Sequence, residues 1–306
     1  MSRRERARGV LLGLALGDAL GAPFEGRSWV ARAQVDAWRE AHEPLRWTDD
    51  THMALTLARH LVDDPELADP EALGAAFARA YAAEPWRGYG AGPPRVFALV
   101  ERGSSFEEAA GSLFGGTGSF GNGAARRVAP VGLLPAATDP NEAARLAAVQ
   151  ARVTHTHPDA VDGAAVVAQV VASLLDADDV EVDGLVEVLT SVSARLAEGP
   201  VRDGLTGVLE VLHARGDAFE AARQCGTGVA AAASVPAAVA ALLSGGDPVE
   251  VVTIAIRLGG DTDTIAAMAG AMAGAAWGLA GVPGALLERL EARDELERLA
   301  ETLAGT

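Results

Sequence analysis

Apolar positions recur along this chain at helical spacing, and no alternating pattern of strand type persists. Glu5 to Gly17 reads as a first helix, ending at Gly17 or Gly21. Asp50 to Val62 is amphipathic, with Met53, Leu57 and Leu61 on one apolar face. Pro65, Pro70 and Pro85 punctuate the next stretch, around a helix at Glu71 to Ala83. Further helices are predicted at Asp162 to Asp176, Gly184 to Ala197, Leu205 to Ala214, Pro236 to Leu243, Pro248 to Arg257 and Leu286 to Leu303. Late in the chain comes an almost wholly apolar run, Ile265 to Val282, made mostly of Ala and Gly. It is long enough to raise the question of a membrane span, but it lacks a basic flank, so the pattern predicts a buried central helix. The expected architecture is all-α: one helical domain over residues 1–306, with no short repeat and no linker.

Glycines add a packing expectation. Gly13, Gly17 and Gly21 are spaced by four, and Gly270, Gly274 and Gly278 repeat the spacing. Each set forms a stripe where another backbone can approach, so the early and late helices are expected to pack closely together. Residues Trp86 to Pro94 and Gly111 to Gly123 form two glycine-rich loops, long for plain connections and of the kind that carries function.

Composition narrows the setting. Hydrophobic residues make up 49% of the 306 and aromatics only 5%, which suits close-packed helices. A net charge of −17 argues against non-specific binding to nucleic acid or to anionic membranes, while leaving room for a small anionic ligand beside a local cation. The single cysteine, Cys225, permits no intramolecular disulfide and fits a reducing cytoplasm. Met1 to Ala22 superficially resembles a secretory signal, with four early arginines before Val10 to Leu16, but Asp18 interrupts it. A cytoplasmic monomer without membrane attachment is expected.

The candidate chemistry lies at two helix starts. Gly259-Gly260-Asp261-Thr262-Asp263-Thr264 precedes the late apolar run, and Trp47-Thr48-Asp49-Asp50-Thr51 precedes the amphipathic helix. Helix capping accounts for one acid at each start, not two. Together the stretches offer four carboxylates and several hydroxyls, and four acids sharing one site without a cation would repel one another. An all-oxygen donor set suits Mg²⁺, Mn²⁺ or Ca²⁺ rather than Zn²⁺.

Five segments in order resemble the ADP-ribosylglycohydrolases, the family of the enzyme that reactivates ADP-ribosylated dinitrogenase reductase and of the vertebrate ADP-ribosyl-acceptor hydrolases. They are Gly17-Asp18-Ala19-Leu20-Gly21-Ala22-Pro23-Phe24-Glu25, Trp47 to Thr51, Gly88-Tyr89-Gly90-Ala91-Gly92, Gly118-Ser119-Phe120-Gly121-Asn122-Gly123 and Leu258 to Thr264. The resemblance implies a compact all-α domain with two Mg²⁺ ions in a central cleft, Mn²⁺ being an alternative. Thr48, Asp49 and Asp50 would bind metal from one side, and Asp261, Asp263 and Thr264 from the other, with Asp263 bridging. The implied reaction hydrolyses the bond between C1″ of the distal ribose and an acceptor side chain, on ADP-ribosylated protein substrates, releasing ADP-ribose. Glu25 occupies the place of the acid/base carboxylate in the branch acting on serine-linked ADP-ribose, poly(ADP-ribose) or O-acetyl-ADP-ribose. Its plainer reading is an exposed loop acid beside Arg27. Gly88 and Gly90 would approach the ligand, and Gly118, Ser119, Gly121 and Asn122 would cradle the diphosphate. Phe114 and Phe120 would sandwich adenine, unless they are ordinary core residues, and His155 would lie near ribose or phosphate. Two departures stand out: Arg126 where many members carry Met, expected only to reshape a pocket wall, and Phe120 in place of a frequent Tyr. An arginine-directed hydrolase, a non-catalytic ADP-ribose binder and a metal-dependent phosphohydrolase are the competing readings.

Overall fold

Two antiparallel helices, Arg3–Gly21 and Thr262–Trp277, form the axis of the molecule. The computed structural model describes residues 1–177 and 180–305. The expected glycine contact is present. A Cβ on Gly274 would lie 2.0 Å from the Gly9 carbonyl oxygen, and one on Gly13 would lie 2.2 Å from that of Gly270. The register departs slightly from a glycine-to-glycine match. Gly17 faces Ala266 and Gly21 faces Asp263, while Gly9, outside the predicted stripe, faces Gly274 and Gly278. Backbone thus meets backbone along the whole seam, and its far end sets Asp263 against the end of the first helix.

Thr262 to Ala276 are all buried, as the apolar run predicts. The helix ends at Trp277 because Gly278 turns the chain into a positive-φ cap, leaving it short for a bilayer. Two other helical stretches, Arg3–Phe24 and Pro158–Leu175, are long and apolar enough to cross a membrane, but 83% and 72% of those windows are buried within the fold. Helices Pro158–Leu175, Ala231–Ser244 and Pro248–Arg257 pack on Thr262–Trp277, and Arg293–Ala304 packs on Arg3–Gly21. Among the described residues there is no strand; only two isolated bridges occur, Leu45 with Leu290 and Gly121 with Ala230.

The C-terminal helix predicted over Leu286–Leu303 is two helices, Gly284–Arg289 and Arg293–Ala304. The break has a tertiary cause. Leu45 N donates to Arg289 O at 3.0 Å, Glu291 N donates to Leu45 O at 3.1 Å, and the Trp47 indole donates to Glu291 O at 3.1 Å. These bonds take backbone groups that a continuous helix would use, and Ala292 turns left-handed at φ 57°. They also tie the segment before Thr48 to the C-terminus. The two glycine-rich stretches are partly helical, since Gly92–Val100 begins inside the first and Phe106–Ser112 extends into the second.

Candidate active site

The two acid-bearing helix starts meet at one cleft. Helix Asp49–Asp63 begins at Thr48, whose hydroxyl accepts from Asp50 N at 3.3 Å. Asp49 and Asp50 are the next two residues, 2% and 0% exposed. A residue given no site role by the sequence reading fixes this start. Asp18, fully buried in the first helix, accepts from Thr48 N and Thr51 N at 3.0 Å and from the Thr51 hydroxyl at 2.6 Å. Burial pushes its carboxyl up to about 6, against the pull of those hydrogen bonds. The available signal was a lone acid inside the apolar run Val10 to Leu20. Arg87 secures the other flank. Its carbonyl accepts from Asp49 N at 2.8 Å, and its guanidinium stacks 3.8 Å above the Trp47 ring while pairing with Glu291 and Glu84.

On the opposite side, Gly259 and Gly260 have φ of 78° and 77°, and a Cβ on either would strike backbone at 2.6 Å or less. The tight turn brings three segments together. Gly260 N donates to Arg27 O at 2.7 Å, Gly26 N donates to Gly260 O at 2.8 Å, and Asp261 N donates to Thr227 O at 2.8 Å. The Gly26–Gly260 clamp places Glu25 beside the acids. Carboxylate oxygens of Glu25, Asp261 and Asp263 all lie within 4.8 Å of one another. Glu25 itself is exposed at the mouth, whereas Asp261 and Asp263 are 7% and 5% exposed. Burial first, then Asp261, raises the Glu25 carboxyl, and burial with the neighbouring acids Asp261, Asp18 and Glu25 pushes Asp263 up to about 8. The Thr264 hydroxyl is buried and has no hydrogen-bond partner among the described residues. Buried hydroxyls and crowded carboxylates of this kind are donors without a cation.

The Asp49–Asp50 end differs. Arg126, at the end of the one-turn helix Gly123–Arg126, forms ion pairs with Asp49 through one guanidinium nitrogen and with Asp50 through another. This corrects the expectation that Arg126 only reshapes a wall, because its charge lies among the acids. Its neighbour Arg127 also borders the cleft but is fully buried and turned from the acids, donating to Gln150 at 2.7 Å and stacking 4.5 Å from Phe77, and burial pulls it down to about 9.

The cleft has a volume of about 240 Å³, a little under the range usual for small-ligand pockets, and it opens to solvent at its mouth. Glu25, Gly88, Gly90, Phe114, Ser119, Gly121, Asn122, Arg126, His155 and Asp261 all border it; Gly118, Phe120 and the expected ligands Thr48, Asp49, Asp50, Asp263 and Thr264 are not part of that lining. Three of the four expected cradle groups are otherwise engaged. The N–H groups of Gly118, Gly121 and Asn122 donate to Leu113 O, Ser119 Oγ and Val229 O. The Asn122 side chain donates to Asp261 at 2.6 Å and to Ser234 at 3.0 Å, so it orients an acid rather than a phosphate. The N–H groups of Ser119, Phe120, Gly88 and Gly90 have no protein acceptor among the described residues. Phe114 and Phe120 are not core residues. They are 52% and 47% exposed, with ring centroids 6.3 Å apart. Buried His155 bonds the Thr154 hydroxyl at 2.7 Å and packs under the loop, where a Cβ on Gly123 would meet its ring at 2.8 Å. Burial, then Arg127, holds it well below its ordinary value and therefore neutral.

The all-α scaffold brings carboxylates together beside an exposed glutamate, and the chain's family and relatives make it a hydrolase of glycosyl bonds. The family model for ADP-ribosylglycohydrolase matches residues 1–306, and the chain belongs to that family, whose members are metal-dependent. It is 32% identical to human ADP-ribosylhydrolase ARH3 over 97% of this chain and 92% of that protein. It is 31% identical to the uncharacterized protein YegU of Escherichia coli (strain K12), over 99% of this chain and 97% of the other. A solved ADP-ribosylglycohydrolase-related protein complex superposes with a TM-score of 0.78 at 29% identity, covering 99% of this chain and 98% of that one.

Proposed function

We propose that this chain hydrolyses the C1″ glycosidic bond of ADP-ribosylated acceptors with the help of Mg²⁺, or Mn²⁺ in its place, and releases ADP-ribose. Serine-linked ADP-ribose, poly(ADP-ribose) and O-acetyl-ADP-ribose are the favoured substrates. The observation that carries this reading is the approach of Glu25 to Asp261 and Asp263 within 4.8 Å, at the mouth of a cleft open to solvent and bordered by the glycine-rich loops.

Asp261, Asp263 and Thr264 fit a hard cation: all their donors are oxygen, and the Thr264 hydroxyl is otherwise orphaned. When bound, such an ion supplies Lewis-acid polarisation and a seat for ribose hydroxyls and water. The remaining work falls to side chains and backbone. Glu25, exposed and with a raised pKa, protonates the leaving oxygen as the oxocarbenium-like state develops, then takes a proton from water. Asn122 holds Asp261 in orientation. Backbone N–H groups of Ser119, Phe120, Gly88 and Gly90 face a diphosphate, and the paired rings of Phe114 and Phe120 offer an apolar surface to a base.

Product analysis tests the reading. Peptides modified on serine or arginine, and polymer, would be incubated with enzyme and Mg²⁺, with a chelator control. Release of ADP-ribose from the serine peptide or polymer is expected. Cleavage of only the arginine peptide would overturn the substrate choice, AMP as product would show a phosphohydrolase, and tight ADP-ribose binding without turnover would show a binder.

A further inference from the structure

One charge in the cleft belongs to neither the acid clusters nor the ligand loops. Arg126 rises from the one-turn helix Gly123–Arg126 and its side chain is only 13% exposed. One guanidinium nitrogen contacts an oxygen of Asp49 and a second contacts an oxygen of Asp50, so the fork spans both carboxylates of that helix start. These oxygens are the ones a cation at this end would take. A divalent ion bonds carboxylate oxygen at roughly 2.0–2.6 Å, inside the space the guanidinium fills, and would be repelled by its charge. The other end is different. Glu25, Asp261 and Asp263 form a cluster with no arginine in ion-pair contact among the described residues, beside the unpartnered Thr264 hydroxyl; the Asp50 oxygens also make no hydrogen bond, so what separates the two ends is the Arg126 charge paired with Asp49 and Asp50.

We infer that Arg126 is a built-in cation standing between Asp49 and Asp50, so that the chain holds a single divalent ion, at Asp261, Asp263 and Thr264, where the resemblance implied two. Asp49 and Asp50 then position Arg126 instead of ligating metal. The inference rests on the proposed metal-assisted reading, but ion number is measured without substrate, so a failure of the hydrolysis assay leaves it standing.

The test is a titration of the chelator-stripped full chain with Mn²⁺, counting bound ions by electron paramagnetic resonance and elemental analysis. Wild type should bind one Mn²⁺ per chain, with no coupling signal of the kind two ions about 4 Å apart would give. Arg126→Met should bind two, coupled; Arg126→Gln serves if the first variant does not fold. In the wild-type background, Asp261→Asn should weaken binding by more than about tenfold while Asp49→Asn leaves it within that factor. Two coupled ions in wild type, none at all, or a single ion in a folded Arg126 variant would overturn the inference. If neither variant folds, the wild-type count and the Asp261/Asp49 contrast decide.

Discussion

Replacing Gly274 by alanine adds one methyl group at the tightest point of the axial helix pair. Its Cβ would lie 2.0 Å from Gly9 O, 2.1 Å from Gly9 C and 2.7 Å from Val10 N. All three are backbone atoms, so no rotamer change relieves the contact. To bring the nearest distance past 3.0 Å the helices must part by roughly 1 Å, a gap that forfeits about a quarter to a half of each dispersion contact along the seam. Overpacking in cores costs about 1–3 kcal/mol, and the rigid partner here puts the cost at the upper end, about 3 kcal/mol. Alanine's better helix propensity returns about 1 kcal/mol. The net of about 2 kcal/mol should lower Tm by roughly 3 °C in a chain of this size, and Gly274→Leu should lower it further. Gly284→Ala is the control, because nothing lies within 4 Å of its added Cβ, and it should stay within about 0.5 kcal/mol. Thermal unfolding followed by circular dichroism reads both. The same seam sets Gly21 against Asp263, so Mn²⁺ affinity of the folded Gly274 variant should fall as well. A Tm for Gly274→Ala equal to or above wild type would refute the reasoning.

Other outcomes rest on the same geometry. Glu25→Gln should lower kcat by roughly 10²–10⁴-fold while Mn²⁺ affinity changes far less; normal turnover would remove the acid/base role. Asp18→Ala orphans Thr48 N, Thr51 N and the Thr51 hydroxyl, and should destabilise by about 2–4 kcal/mol in urea unfolding, an idea that an unchanged midpoint would sink. Phe114→Ala and Phe120→Ala remove exposed rings, so Tm should hold while the Kd for ADP-ribose rises by about tenfold; a core role would show the reverse. In chelator-treated protein, Asp263 is raised from 3.8 to about 8, so the native state holds a proton that the unfolded chain has lost, and stability falls as pH rises through that window. Depressed His155 works in the opposite sense only below its ordinary 6.5, so the comparison belongs between pH ~7 and ~8. Added Mg²⁺ should stabilise more at the higher pH, because binding displaces that proton; stability rising across this range without metal would contradict the placement of Asp263.

The fold was legible where a helix is long and its burial one-sided or complete. The run after Asp263 and the stripe Gly13, Gly17, Gly21 announced a helix pair because close backbone approach demands small residues at spacing four. Helices such as Arg32–Glu40 and Pro140–Arg152 escaped the same reading, although capping residues mark the second: Asp139 accepts from Asn141 N at 2.9 Å, before Pro140. The break at Ala292 was beyond local pattern altogether, since what stops the helix there is Leu45 and Trp47, far away in sequence.

The acids themselves were legible because adjacent carboxylates are rare enough in a buried setting to demand a cation, but the identity of that cation was not. Two arginines stand side by side at the end of a single helical turn, and adjacent residues diverge by about 100°. One of them must therefore turn away from the other, and nothing in their spacing says which reaches the acids. Packing decides it. Arg127 is taken by Gln150 and the face of Phe77, leaving Arg126 to face Asp49 and Asp50. Those two acids are also adjacent and also diverge, yet one planar fork reaches both, which a spherical ammonium would do less well. Arg126→Lys should therefore keep the charge but lose the double contact, loosening the start of helix Asp49–Asp63. Hydrogen exchange at the Asp50 and Thr51 amides, faster in Arg126→Lys than in wild type, reads that loosening; unchanged exchange would mean that Asp18 alone holds the helix start.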